Sequence, residues 1–500
     1  MAFSSAGGAG DLSLDASIPR RAGPKGVRGG SFSMARRSGW RGRLLTAALA
    51  ALAPAAGCGD RVSISASPEP AAASTPPGAP PSIVLVTIDT LRADHVSAYG
   101  YARETTPHLD ALAAGGARFE TAYAVSSTTG PSHATLFTSR YPDEHGVTKN
   151  GVPLPADVPV LAERLRDAGY ETAAFVSSFV VERRFGLARG FDHYDDDFRG
   201  AAHSSPLRRW EGHVLEAPYD RRAGETTERA LAWLAARHDA RPFFLWVHYF
   251  DPHSPYDPPA PHRQAFLESS DPTSPRHAID LYDGDVHYAD AELGRLLAAL
   301  ALHAPLTLVT ADHGEGLWDH GYLEHGVFLY EEMVRVPWVV HWPGRVPAGS
   351  TLGGLAAHVD LVPTLAGLTG LDLLADPRGR DLAPLLLRGE APDPERRVHL
   401  QRRHYEPGQR GHVRVEGPKH AIRVDRWKLI VSPGELGLEL FDLARDPREL
   451  HNLAGLRPDV VQPLYADLRR WQEGQRTRLA APAAPDAQAR ERLRALGYVD

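Results

Sequence analysis

Cysteine is almost missing from this chain: Cys58 is the only one in 500 residues. That excludes an intrachain disulfide and any zinc centre built on cysteines. Positive charge is not in excess either. Lys and Arg number 55 against 62 Asp and Glu, a formal net charge of -7, so the electrostatic footprint of a nucleic-acid partner is lacking. The apolar run Leu44–Ala53 is too short to span a membrane. What is present is an ordinary globular composition, 43% hydrophobic and 23% charged, with length for one large domain and a smaller one. Histidine is plentiful, 24 in all, which exceeds what ligand sites could use, so most are structural or at the surface.

The N-terminal region reads as targeting rather than fold. Arg36, Arg37, Arg41 and Arg43 precede the Leu44–Ala53 run, and Ala55-Ala56-Gly57-Cys58 follows it. A basic region, a short apolar stretch and small residues at the end describe an export signal over 34–58. Its last four residues resemble a bacterial lipobox, although Ala55 stands where leucine is usual. Cys58 is then the lipid anchor of an exported, membrane-anchored lipoprotein facing the periplasm or the cell exterior. Residues 1–33 are expected to be a disordered extension or a mis-assigned start ahead of Met34. Residues 59–81, rich in Pro, Ala and Ser, read as a tether.

Three apolar runs end in groups that carry chemistry. Ile83-Val84-Leu85-Val86-Thr87-Ile88 leads into Asp89. Leu306-Thr307-Leu308-Val309-Thr310 leads into Ala311-Asp312-His313-Gly314-Glu315. Phe243 to Phe250 leads into Asp251-Pro252-His253. Continuous β-branched runs of this kind predict strands buried on both faces of a parallel sheet. Ligands bind at the carboxyl ends of such strands, so three runs delivering carboxylates and imidazoles there point to one shared site. A single one would read as a turn-forming Asp.

Helical spacing over Thr106–Ala117, Val158–Ala168, Glu225–Arg237 and Asp283–Leu300 alternates with these strands. The predicted fold is α/β: a doubly wound, mostly parallel sheet with helices on both faces, over 82–375. A smaller α+β domain with an antiparallel sheet and terminal helices is predicted over 376–500.

Thr129-Gly130-Pro131-Ser132-His133 is the remaining signal. Pro131 marks a first helical turn, so Thr129 is either a helix cap or a nucleophile beside unpaired N–H groups and the positive end of a helix dipole. The strand-end groups favour the nucleophile. Asp89, Asp312, His313 and Thr129 form a plausible ligand set for one divalent cation, which would lower the pKa of the threonine hydroxyl. His253 and His325 could protonate a leaving oxygen or pin an anion. Asp251 either joins them at a second metal or starts the turn that Pro252 and Pro255 enforce.

These residues, in this order, resemble the sulfatase family of the alkaline phosphatase superfamily. Val86 to His95 looks like its opening strand and first metal ligand, and Thr129 to Pro142 with His145-Gly146-Val147 looks like its nucleophile signature. Thr310 to Glu315 looks like its second metal element, followed by Leu329-Tyr330-Glu331-Glu332 and Arg335-Val336-Pro337. Trp427-Lys428-Leu429-Ile430, Leu440-Phe441-Asp442-Leu443, Asp446-Pro447 and Asn452-Leu453 are similar to its small C-terminal domain. The resemblance implies one divalent metal at Asp89, Asp312 and His313, a nucleophile at Thr129, and contacts from His253 and His325 to an anionic ester substrate. His133 and His320 are assigned to substrate binding.

The chain departs from the family at informative positions. Many sulfatases make formylglycine from a cysteine at the nucleophile position. Thr129 cannot yield that aldehyde, because its carbinol carbon already carries a methyl group. Thr90 stands where a second aspartate is frequent, and His133 where arginine is frequent. Asp-His in place of Asp-Asn favours zinc or manganese, with calcium possible. The expected function is a sulfatase-family, metal-dependent hydrolase of sulfate or phosphate esters with a threonine nucleophile. One alternative is a phosphodiesterase or phosphoethanolamine-type transferase of the same superfamily. The other is a lipid-anchored binding protein that keeps the fold without turnover.

Overall fold

The structure is a computed structural model describing residues 80–201, 209–210, 213–214, 219–475 and 491. Cys58, the export signal and most of the tether lie outside the described residues. Among the described residues no helix is long and apolar enough to cross a membrane.

The three predicted strands form where expected and lie side by side. β1 is Ile83–Ile88. In chain order the large sheet adds β2 Ala117–Tyr123, β3 Glu171–Val176, β4 His193–Asp195, β5 Phe243–Tyr249, β6 Leu306–Ala311, β7 Arg335–Val336, β8 Trp338–His341 and β9 Ser350–Ala357. The spatial order is β9-β2-β8-β6-β1-β5-β3-β4, with β7 paired to β2. β1 runs parallel to both β5 and β6 at the centre, and only β8 and β7 run antiparallel to their neighbours. Every residue of β1, β5 and β6 is buried. Each Ile, Val, Leu or Phe so placed stabilises the fold by about 1.5–3 kcal/mol relative to exposure.

Helices cover the sheet. α1 (Pro107–Gly115), α2 (Thr129–Thr138), α3 (Leu161–Asp167), α4 (Ala223–Ala236) and α5 (Pro275–Leu300) match the four predicted segments plus the one after Thr129. α5 begins earlier than its spacing suggests. Ser274 caps it by accepting the His277 N–H, and Pro275 fits the first turn.

A second, four-stranded antiparallel sheet comprises β10 Arg397–Arg410, β11 Val413–Val424, β12 Trp427–Ser432 and β13 Gly437–Asp442. α6 (Pro458–Gly474) buries Val461, Leu464 and Leu468 against Ile422, Leu429 and Leu440 of this sheet. The large core continues through Leu382, Ala383 and Leu386, past the boundary expected at 376. Buried charge joins the two sheets: Lys428 reaches Glu331 and Glu449 at 3.0 Å each.

Candidate active site

The central strands end level, because Ile88 pairs with Tyr249 on one side and Ala311 on the other. Asp89 and Asp312 therefore leave the sheet at the same height. Thr90 then turns sharply at φ 55, a left-handed conformation costly for a β-branched residue. The strained turn is held from several sides. The Thr90 N–H donates to Asp312 Oδ1 at 3.1 Å, its hydroxyl to the Asp89 carbonyl at 2.7 Å, and Tyr282 Oη donates to the Thr90 carbonyl at 2.8 Å. After His313, Gly314 passes so close to the chain that a Cβ would lie 2.0 Å from the Glu332 carbonyl.

Asp89, Asp312 and His313 each offer a ligand atom within 4.8 Å of the others, and all three are fully buried. They form the one such group of three among the described residues. The His313 Nδ1–H donates to the Gly314 carbonyl at 2.8 Å, which leaves the Nε2 lone pair facing the carboxylates. Both oxygens of Asp89 and Oδ2 of Asp312 lack a hydrogen-bond partner among the described residues. Burial, reinforced by the neighbouring Asp312, holds the Asp89 carboxyl well above its ordinary value. Two unmatched buried carboxylates and an imidazole lone pair fit a divalent cation.

Thr129 joins this group. Its Oγ1 lies 3.3 Å from His313 Nε2, and the residue is fully buried. The helix begins at Thr129 itself, with Pro131 in its first turn as expected and Thr128 in the cap position, so the capping role for Thr129 is corrected. The expected row of unpaired N–H groups is corrected as well. The Gly130 N–H donates to Asn150 Oδ1 at 2.6 Å and the Ser132 N–H to the Thr128 carbonyl at 3.1 Å, while Pro131 has none. What α2 offers an anion is its dipole.

His253 and His325 face each other, ring centroids 4.9 Å apart, and His325 lies 4.4 Å from the His313 ring. The His253 Nδ1–H points to the Ser254 carbonyl at 2.5 Å, and His325 Nδ1 pairs with Glu315 Oε1 at 3.1 Å. Burial pushes His325 down to about 4 and, with help from His325, keeps His253 well below its usual range. Burial also pushes Glu315 up to about 8.

Other assignments change. His133 is fully buried behind Thr129, with Nδ1 donating to the Thr129 carbonyl at 2.9 Å and Nε2 3.0 Å from Thr87 Oγ1. It braces the start of the helix and has no nitrogen left for substrate. His320 stacks on Tyr330 at 3.8 Å and pairs with Glu332 and the Glu449 carbonyl, so it closes a loop away from the cluster. Asp251 accepts the Ala223 N–H at 2.8 Å at the start of α4 and faces Arg222, which removes it from a second metal set. His248, passed over in the sequence as one polar residue in a core strand, stands 3.4 Å from Asp89 Oδ2.

The second sheet props the loops around the site. The Gln401 N–H donates to the Val125 carbonyl at 2.8 Å, Arg402 Nη1 to Val327 at 2.8 Å, and Tyr405 Oη to Gly326 at 3.1 Å.

Comparison with known proteins gives this geometry a context. The sulfatase family model matches residues 81–371, and a model described as N-sulphoglucosamine sulphohydrolase, C-terminal, matches 318–474. Human arylsulfatase A is 30% identical over 454 residues, spanning 77% of this chain and 86% of that protein. An N-acetylglucosamine-6-O-sulfatase of Bacteroides thetaiotaomicron is 24% identical over 484 residues, 75% of this chain and 83% of that one. A phosphonate monoester hydrolase structure from Agrobacterium radiobacter superposes with a TM-score of 0.65 at 23% identity, covering 79% of this chain and 96% of that one. A structure solved with its substrate D-glucosamine-2-N,6-O-disulfate superposes at 0.66 with 22% identity, over 82% of this chain and 100% of that one. Matched along most of its length by the family model and by an arylsulfatase, the chain belongs to the sulfatase family of ester hydrolases.

Proposed function

We propose that this chain hydrolyses a phosphate or sulfate ester through a covalent intermediate on Thr129, without formylglycine. The observation that carries the reading is the Thr129 hydroxyl lying 3.3 Å from His313 Nε2, beside Asp89 and Asp312. Asp89, Asp312 and His313, with Thr129 alongside, would hold one divalent metal, zinc or manganese before calcium. When bound, the ion would supply positive charge that favours the deprotonated threonine and offsets the negative charge of the ester.

The chain's own groups do the rest. The imidazole pair takes up the proton that leaves the Thr129 hydroxyl, its oxygen forms a bond to the phosphorus or sulfur in line, and the bond from that atom to the leaving ester oxygen breaks. That oxygen takes a proton from the imidazole pair, His253 or His325. Anionic substrate against two buried neutral rings raises their proton affinity, which suits them to hold the anion and then release the proton. Water then attacks the same central atom, the Thr129 ester bond breaks, and the hydroxyl is restored. Likeness to a phosphonate monoester hydrolase and the single hydroxyl of threonine support phosphorus as the central atom.

Aryl phosphate, phosphodiester, phosphonate and sulfate esters, offered with Zn, Mn, Mg or Ca to wild type and Thr129→Ala, test this. Metal-dependent turnover that vanishes in Thr129→Ala is expected. Turnover untouched by the substitution, or the absence of any metal-dependent turnover, contradicts it. We also propose attachment to a membrane through Cys58, on the sequence Ala55-Ala56-Gly57-Cys58. Cys58→Ser should release the protein into the soluble fraction, and continued membrane association contradicts the anchor.

A further inference from the structure

We propose that His248 is a positioning residue for Asp89: its Nε2–H is the donor that holds the Asp89 carboxylate in its cation-binding orientation. The inference rests on the reading of Asp89, Asp312 and His313 as a metal site and extends it to the strand beside them.

The placement follows from register. β1 and β5 are parallel, with Thr87 opposite His248, so β5 brings an imidazole alongside the turn that presents Asp89. His248 Nε2 lies 3.4 Å from Asp89 Oδ2, and both residues have zero exposure. The tautomer is set from the other side of the ring. The Ser177 N–H points to His248 Nδ1 at 3.4 Å, which assigns the lone pair to Nδ1 and the proton to Nε2. A protonated Nε2 has no lone pair for a metal, so His248 is not itself a ligand.

Hydrogen-bond accounting points the same way. Nε2 of His248 and both oxygens of Asp89 have no hydrogen-bond partner among the described residues. A buried donor and a buried acceptor left unpaired are each costly, and these two face each other. Their separation is only a few tenths of an ångström beyond a made bond. His248 also packs edge-on against His133, ring centroids 5.0 Å apart, and His133 holds the Thr129 carbonyl. One imidazole thus braces the first ligand and the helix start behind the nucleophile.

The test compares His248→Gln with His248→Asn. A glutamine amide N–H reaches the place of Nε2, whereas the asparagine amide stops at the place of Nδ1. Dissociation constants for Zn2+ and Mn2+ are read by competition with a fluorescent chelator, beside melting curves of the metal-free proteins. His248→Asn should weaken binding about 10–100-fold, the range for loss of a partner to a metal ligand, and His248→Gln should recover most of it. Equal affinity in all three proteins overturns the proposal, as does a glutamine variant as weak as the asparagine one. A Co2+ absorption band that moves between wild type and His248→Gln marks direct ligation and also overturns it. Should His248→Asn fail to fold, His248→Leu carries the same comparison with His248→Gln. Asp89→Asn separates the two claims: if it binds metal as wild type does, the metal site itself is wrong, whereas a weak Asp89→Asn beside a wild-type-like His248→Asn removes only the positioning role.

Discussion

Two carboxylate clusters in this molecule, one pairing a half-buried Glu331 with a buried Glu449 and one buried throughout, differ in what faces them. Between the two sheets, Glu331 and Glu449 share the ammonium of Lys428 at 3.0 Å each, and Tyr123, itself bonded to Arg423, donates to Glu331 at 3.0 Å. Burial pushes Lys428 down, but Glu449 and Glu331 outweigh it and hold the group above its ordinary value. At the strand ends, Asp89 and Asp312 face His313, His133, His248 and the Thr129 hydroxyl, with no Lys or Arg in ion-pair contact among the described residues. Burial drives His133 to about 3 and His248 to about 4, so these rings are neutral and supply no cation. Lys428 supplies a cation to one set from the chain's own residues, and no Lys or Arg among the described residues does so for the other. On the proposed function, that difference separates a structural charge cluster from a metal-binding one.

The sharpest way to break the comparison is at the proposed nucleophile. Thr129→Ala should lower kcat/KM by about 10^3-fold or more, since on the proposed mechanism the hydroxyl is the attacking group rather than an aid to it. Steady-state kinetics at saturating metal read this directly. At the seam, Lys428→Met should cost about 3–5 kcal/mol in urea unfolding, because it leaves the buried Glu449 without its cation. A loss below about 1 kcal/mol would erase the contrast between the two clusters.

His325→Ala should cost about 10^2-fold in turnover, with a larger penalty for alkyl than for nitrophenyl esters, because a poor leaving group needs the proton more. An equal penalty on both would assign His325 to anion binding alone. The smallest effect concerns pH in the metal-free protein. Glu315 titrates at about 8 when folded against an ordinary value of 4.5, so the folded state binds its proton more tightly. The contribution is full below about pH 4.5 and is lost as pH rises through 8. Melting temperature of the metal-free protein should fall across that window, and Glu315→Gln should flatten the fall. A curve unchanged by the substitution would show that another group governs it.

Much of this was legible in the sequence, for physical reasons. Continuous apolar runs end in Asp89, Asp312-His313 and Asp251-Pro252-His253, and a parallel strand buried on both faces favours its ends for such groups. The central strands and the mixed architecture followed, with a separate antiparallel sheet after them. What stayed hidden were partners. His133 and His320 carry the right side chain at suggestive positions, but Thr87 and Glu332 occupy their nitrogens, and sequence order says nothing about that. Asn150, 20 residues beyond Gly130, takes its N–H with no local signal. His248 lay inside a strand read as core, and only the register of β1 against β5 sets it beside Asp89.

The central claim, that Thr129 attacks the ester, is tested most directly by trapping. Metal-loaded protein is mixed with substrate, quenched in acid within one turnover, and its peptides are weighed by mass spectrometry. The account predicts one phosphoryl or sulfuryl group on Thr129, formed only with metal present and lost on longer incubation. The group on another residue, or full turnover by Thr129→Ala with no adduct anywhere, would contradict it.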